Sequence, residues 1–195
     1  MAYRVAVAVS GRGSNLFALV DALEADPVAQ VVLVLSDHAA PAMAEAAARG
    51  LVTYQLRDHR DGAEWLAAIR ASMPDLLVLA GYLKLVPPEV VRALPGRIVN
   101  IHPALLPLHG GPGMYGRRVH EAVLAAGEPV TGATVHLVDE VFDRGTVLSQ
   151  VRVPVQPGDT PDALAARVLA AEHRLMPAAV RVAARVGRPV PFELD

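Results

Sequence analysis

Asn100 and His102 stand two residues apart at the end of an apolar run, Arg97 to Ile101, and Asp143 follows in the acidic turn Asp139-Glu140-Val141-Phe142-Asp143-Arg144-Gly145. Strand side chains alternate between faces, so a strand here puts the amide of Asn100 and the imidazole of His102 on one side and Ile101 on the other. Open α/β sheets place their chemistry at the C-terminal ends of strands. An amide donor beside a titratable imidazole, with a carboxylate to bias it, is the equipment needed to stabilise and protonate a tetrahedral oxyanion. Each residue alone has a plainer explanation. A histidine at a strand end is often a hydrogen-bonded core or surface group, Asn100 could complete a turn, and Asp143 beside Arg144 could be turn chemistry or a surface pair. It is their convergence after a buried strand that indicates a site.

A second chemical feature lies near the start. Ser10-Gly11-Arg12-Gly13-Ser14-Asn15 follows the apolar run Val5–Val9 and precedes a helical repeat with Leu16, Leu19, Val20 and Leu23 on one face. Strand, glycine turn and helix start together form an anion cradle, because glycine permits close backbone approach and free N–H groups point at the ligand. The turn alone is explained equally well by backbone conformation. Position 16 is Leu where a dinucleotide fingerprint needs a third glycine, and only Asp37 stands near the ribose position, so a single phosphate monoester fits better than NAD.

The elements that must position these residues follow from periodicity. Strands are expected at Val5–Val9, Val31–Leu35, Val52–Tyr54, Leu76–Ala80 and Arg97–Ile101, alternating with helices at Leu16–Leu23, Pro41–Arg49, Ala63–Ser72 and from Pro87-Pro88 through Leu94. Leu76–Ala80 has no polar position and reads as central. After the glycine-rich stretch Leu108–Gly116 come a helix at Val119–Ala126, strands at Thr131–Val138 and Thr146–Val155, and a last helix toward Val186. That helix starts at Thr160-Pro161-Asp162, a threonine cap, proline in the first turn and an acid beside it, and a kink is expected at Pro177. The pattern predicts one Rossmann-like α/β domain over residues 1–195, with a mainly parallel sheet and helices on both faces.

Composition bounds the function. The chain has 195 residues, 53% hydrophobic and 19% charged, which suits a sheet buried on both faces. A net charge of -2 offers no basic field for nucleic acid. The absence of cysteine excludes disulfides, thiol catalysis and thiolate metal sites. Spacings such as His102…His109 and His136…His173 match no common metal motif, so no metal is expected. Met1-Ala2-Tyr3-Arg4 lacks a signal-peptide core and no segment reaches ~18 uncharged apolar residues, so a cytoplasmic protein without a membrane span is expected.

Taken together, Ser10-Gly-Arg-Gly-Ser-Asn15, Leu79-Ala-Gly-Tyr-Leu-Lys-Leu85, Asn100-Ile-His-Pro-Ala-Leu-Leu-Pro107, Thr134-Val-His-Leu-Val138 with Asp143, and Glu172-His173 resemble the folate-dependent phosphoribosylglycinamide formyltransferase family. The resemblance runs from about Tyr3 to about Pro189. The Asn-x-His-Pro and Leu-Leu-Pro block is shared with other users of 10-formyltetrahydrofolate, and the serine-glycine turn points to the member whose substrate carries a ribose 5-phosphate. It implies the formyltransferase fold, with a phosphate-binding half at about 1–100 and a folate-binding and catalytic half at about 100–195. It also implies small-molecule substrates, 10-formyltetrahydrofolate as co-substrate, no metal, and a monomer or homodimer.

For this sequence the resemblance implies Asn100, His102 and Asp143 as the catalytic trio and Gly13, Ser14 and Asn15 as the phosphate turn. It implies Glu172 on the sugar hydroxyls of the nucleotide. Leu83, Lys84, Leu85 and Val86 match one wall of the pterin pocket, with Asn100 beside it and Val138, Asp139, Glu140 and Val141 opposite, and Arg60 matches the arginine near the folate's glutamate tail. Three departures stand out. Lys84 replaces a common arginine, Arg144-Gly145 replaces a smaller pair, and Leu108–Arg118 is a few residues longer than usual. The long stretch reads either as a mobile lid or as a tolerated surface insertion. Among relatives, methionyl-tRNA formyltransferase would need a basic surface and an RNA-binding domain. Formyltetrahydrofolate deformylase carries an extra N-terminal domain, whereas the similar region here begins at residue 4. Sugar-nucleotide formyltransferases lack the phosphate turn. A non-catalytic nucleotide-binding module would have no use for the trio.

Overall fold

The wholly apolar segments Val5–Val9 and Leu76–Leu79 pair side by side at the middle of a seven-stranded sheet, where they are covered on both faces. A computed structural model describes residues 2–194 of the chain. The elements run β1 (Tyr3–Val9), α1 (Ser14–Ala25), β2 (Ala29–Ser36), α2 (Pro41–Ala48), β3 (Thr53–Gln55), α3 (Gly62–Ser72), β4 (Leu76–Leu79), α4 (Pro88–Ala93), β5 (Ile98–His102), α5 (Arg117–Ala125), β6 (Val130–Leu137), β7 (Val147–Pro154) and α6 (Pro161–Val186). Strand order is β3-β2-β1-β4-β5-β6-β7. The first five strands are parallel, and β6 and β7 are added antiparallel. Strand order reverses between β1 and β4, which opens the crevice in which such sheets bind ligands.

Each face of the sheet has its own core. One packs Leu16, Leu19, Ala42, Val123, Leu164 and Leu175 of α1, α2, α5 and α6 against Val5, Val7, Val99 and Val135. The other packs Trp65, Ile69 and Val90 of α3 and α4 against Ala6, Leu33, Leu77 and Ile98. Trp65 is fully buried and meets the edge of Tyr82 at 5.4 Å. The short third strand lies one residue further along than its apolar pattern suggests, because Thr53, Tyr54 and Gln55 are the residues that pair with β2. The last helix has the expected cap, with Thr160 Oγ1 accepting from the N–H of Ala163. It continues for 26 residues and does not end at Pro177, which is itself buried against the core. Among the described residues no helix is long and apolar enough to cross a membrane.

Candidate active site

Three strand ends and one helix converge on a cavity of about 610 Å³. The turn after β1 contributes Arg12, Ser14 and Asn15, the segment after β4 contributes Gly81 to Val86, β5 contributes Asn100 and His102, and α6 contributes Glu172. Ser10 locks the first two together. Its hydroxyl donates to Asp37 (2.7 Å) and accepts from the N–H of Leu83 (3.1 Å).

The antiparallel register sets Asn100 opposite His136 and His102 opposite Thr134. Thr134 is fully buried; its hydroxyl donates to the carbonyl of Ala104 (2.6 Å) and accepts from the N–H of Leu106, which fixes the chain leaving His102. Asp143 enters from the β6–β7 turn in a left-handed conformation (φ 55°). The turn can return this closely because residue 145 is glycine: a Cβ there would sit 1.7 Å from the carbonyl oxygen of Leu137. Asp143 Oδ1 lies 3.4 Å from Asn100 Nδ2 and 3.5 Å from His136 Nε2, and Oδ2 lies 3.5 Å from His102 Nδ1. Asn100 Nδ2 also lies 3.0 Å from His136 Nε2. The glycine-rich stretch after His102 closes over this group. The carbonyl of His109 accepts from His102 Nε2 (2.8 Å), and the N–H of Gly111 donates to Asp143 Oδ2 (2.9 Å).

Burial pushes the imidazole of His102 below its usual range, and Asp143 and the His109 carbonyl pull the other way. Burial likewise opposes ionisation of Asp143, but His136, His102 and the N–H of Gly111 outweigh it and hold the carboxyl below its ordinary range. The result is a charged carboxylate facing an imidazole that has an acceptor at both ring nitrogens, a pair suited to holding and releasing one proton.

At the other end, Gly13 caps α1 in the left-handed region (φ 76°), and a Cβ on it would meet that of Ala42 at 2.6 Å. The first-turn N–H groups of α1 have no partner within the helix. Asn15 donates from Nδ2 to Glu172 Oε2 (3.0 Å), while its own Oδ1 is buried without a partner. Burial pushes the carboxyl of Glu172 up to about 7, against the pull of Asn15.

The cavity therefore gathers most of the residues expected from sequence. Ser14, Asn15, Leu83, Lys84, Leu85, Val86, Asn100, His102, Val138, Asp139, Val141, Asp143 and Glu172 line it. Gly13 shapes the turn beneath. Glu140 turns away to accept from Arg92 (2.9 Å). Arg60 lies outside the lining: its guanidinium is held by Asp58 two residues back (3.2 Å) and is largely exposed. Sequence reasoning missed two lining histidines, His120 and His136. His136 alternates with Thr134 on one face of β6, but only the β5–β6 register brings it to Asn100. Among the described residues no group of three or more His, Cys, Asp or Glu could hold a metal ion.

Residues 3–180 match the model of the formyl transferase family. The chain belongs to this family. It is 44% identical over 191 residues to phosphoribosylglycinamide formyltransferase of Mycobacterium tuberculosis, covering 94% of this chain and 86% of that protein. It is 42% identical over 181 residues to the chloroplastic phosphoribosylglycinamide formyltransferase of Arabidopsis thaliana, covering 88% of this chain and 62% of that one. The chain thus spans about three fifths of the length of its plant relatives. Among solved structures, phosphoribosylglycinamide formyltransferase from Brucella melitensis superposes with a TM-score of 0.85 at 42% identity, covering 94% of this formyl transferase and 96% of that chain.

Proposed function

We propose that this formyl transferase moves the formyl group of 10-formyltetrahydrofolate onto the primary amine of N1-(5-phospho-D-ribosyl)glycinamide, a step of purine synthesis. The observation that carries the reading is that Asn100, His102 and Asp143 line one cavity together with two unlike sets of residues. One set is apolar, Leu83, Leu85, Val86, Val138 and Val141, and suits a flat heteroaromatic ring. The other joins the glycine turn at Gly13–Asn15 to the buried carboxyl of Glu172, and suits a phosphorylated sugar with its hydroxyls. On this reading residues 1–100 bind the phosphate, and residues 100–195 supply the catalytic groups and, with Leu83–Val86, the folate pocket.

The co-substrate supplies an electrophilic formyl carbon. The acceptor amine gives its lone pair to that carbon, a C–N bond forms, and the carbonyl electrons move to oxygen. Asn100 donates an amide N–H to the resulting oxyanion, and His102 donates a second hydrogen bond. On collapse the bond to the folate nitrogen breaks. His102 delivers the proton that nitrogen requires, and the proton lost by the amine returns to the His102–Asp143 pair. No covalent enzyme intermediate is required. Partners are small molecules only, with neither nucleic acid nor membrane involved.

A donor labelled with ¹³C in its formyl group tests the reading. Mass spectrometry is expected to find the label on the acceptor amine, in proportion to tetrahydrofolate released. Label appearing as free formate, with or without acceptor, would contradict it.

A further inference from the structure

We infer that His136 is a positioning residue: it holds the amide of Asn100 in one of its two orientations, so that an N–H and not the carbonyl faces the reacting oxygen. The inference rests on the function proposed above for Asn100. Its geometric basis stands independently of that function.

An amide side chain has nearly the same shape when its oxygen and nitrogen are exchanged, and only its neighbours decide which end points where. For Asn100 the deciding neighbour is an imidazole, whose own tautomer must be fixed first. His136 Nδ1 lies 2.8 Å from the carbonyl oxygen of Leu137. A carbonyl can only accept, so Nδ1 carries the hydrogen. In the neutral ring Nε2 is then a bare acceptor. Nε2 lies 3.0 Å from Asn100 Nδ2, which therefore donates to it. The reversed amide would set an oxygen lone pair against a nitrogen lone pair in a site where His136 is 2% exposed and water cannot intervene.

The same logic assigns the contact with Asp143. In the neutral ring Nε2 has no hydrogen for Oδ1 of Asp143 at 3.5 Å, and Oδ1 accepts the second amide hydrogen of Asn100 at 3.4 Å; only the protonated ring donates to Asp143, and that is the form in which His136 holds the carboxyl down. That long bond is the one an oxyanion can take over, while the shorter bond to His136 stays in place. The relay from the Leu137 carbonyl through His136 to Asn100 thus leaves one N–H of a fixed amide available for the reaction.

Two substitutions separate the ends of the ring. His136→Gln keeps an acceptor near the Nε2 position. His136→Asn keeps a donor for Leu137 but removes that acceptor. We expect His136→Asn to lower kcat about 10–100-fold, with KM for both substrates changed less than about twofold, because a misplaced group costs on the order of 10²-fold. His136→Gln should recover most of the loss. In an Asn100→Ala background, His136→Asn should add less than about twofold, as residues acting through one another are not additive. An equal loss in both backgrounds, or wild-type kcat in His136→Asn, would overturn the proposal. ¹⁵N NMR of the wild-type protein gives a readout free of activity: Nε2 of His136 is expected unprotonated and Nδ1 protonated. A protonated Nε2 would overturn the relay even if formyl transfer is confirmed. A correct tautomer in a protein that transfers no formyl group would instead discard the function proposed above.

Discussion

At one end of the cavity Asn100, His102, His136 and Asp143 each have a polar partner and are held by strand pairing and a returning turn. At the other end, among the described residues, Asn15 buries an unpartnered oxygen and Glu172 accepts from Asn15 alone, and the first turn of α1 has N–H groups that the helix itself cannot pair. The first arrangement has its partners before any ligand arrives, and on the proposed mechanism the oxyanion takes over two of them, the long bond of Asn100 to Asp143 and the bond of His102 Nε2 to the His109 carbonyl. The second is incomplete, and its orphaned groups gain partners only when a polar ligand fills it. On the function proposed above, chemistry and nucleotide binding are carried by different residues and should be separable.

The largest effect that tests this separation is loss of turnover without loss of binding. His102→Ala and Asp143→Asn are each expected to lower kcat about 10²–10⁴-fold. Calorimetric affinity for the nucleotide should change less than about threefold, and a parallel loss of both would break the distinction.

Next comes a pH effect at the binding end. Glu172 is raised from an ordinary 4.5 to about 7 by burial, so the folded protein binds more protons than the unfolded chain across that window. The stability it contributes is fully present below about pH 4.5 and is lost as pH rises through about 7. Glu172→Gln should thus be more stable than wild type by roughly 3 kcal/mol at about pH 8 and nearly equal at about pH 4.5, as measured by urea unfolding. Equal stability at both pH values would show that the carboxyl is not desolvated.

A smaller effect is expected from Gly13→Ala. The left-handed backbone at φ 76° costs a side chain about 1–2 kcal/mol, and the new Cβ crowds Ala42. Thermal unfolding should register that cost, and KM for the nucleotide should rise while kcat at saturation is kept. Smallest of all is Arg60→Ala: with the guanidinium held by Asp58 outside the cavity, KM for the folate should move less than about twofold and stability less than about 0.5 kcal/mol.

The parallel half of the fold was legible because each of its strands is a local apolar run bounded by its own turn, as Val5–Val9 and Leu76–Leu79 illustrate. The glycine turn and the Asn100–His102 pair were equally legible, since spacing of two within one strand fixes a shared face. His136 was not. Its role depends on the register of β5 against β6, a contact 36 residues apart that no local pattern encodes. Arg60 stands outside the cavity lining for the opposite reason. Its residue type suited a carboxylate-binding task, but Asp58 nearby offered a partner already in reach. The long Leu108–Gly116 stretch showed flexibility in its glycines, yet what His109 and Gly111 offer His102 and Asp143 is a backbone carbonyl and a backbone N–H, and no side chain of that stretch marks them in the sequence.

The most direct test is formyl transfer from 10-formyl-5,8-dideazafolate, followed by absorbance for wild type and His102→Ala in parallel, each with phosphoribosylglycinamide present and omitted. The account predicts release in wild type only when the acceptor is present, and a loss of at least about 10²-fold in the variant. Release independent of acceptor, or an undiminished rate in His102→Ala, would contradict it.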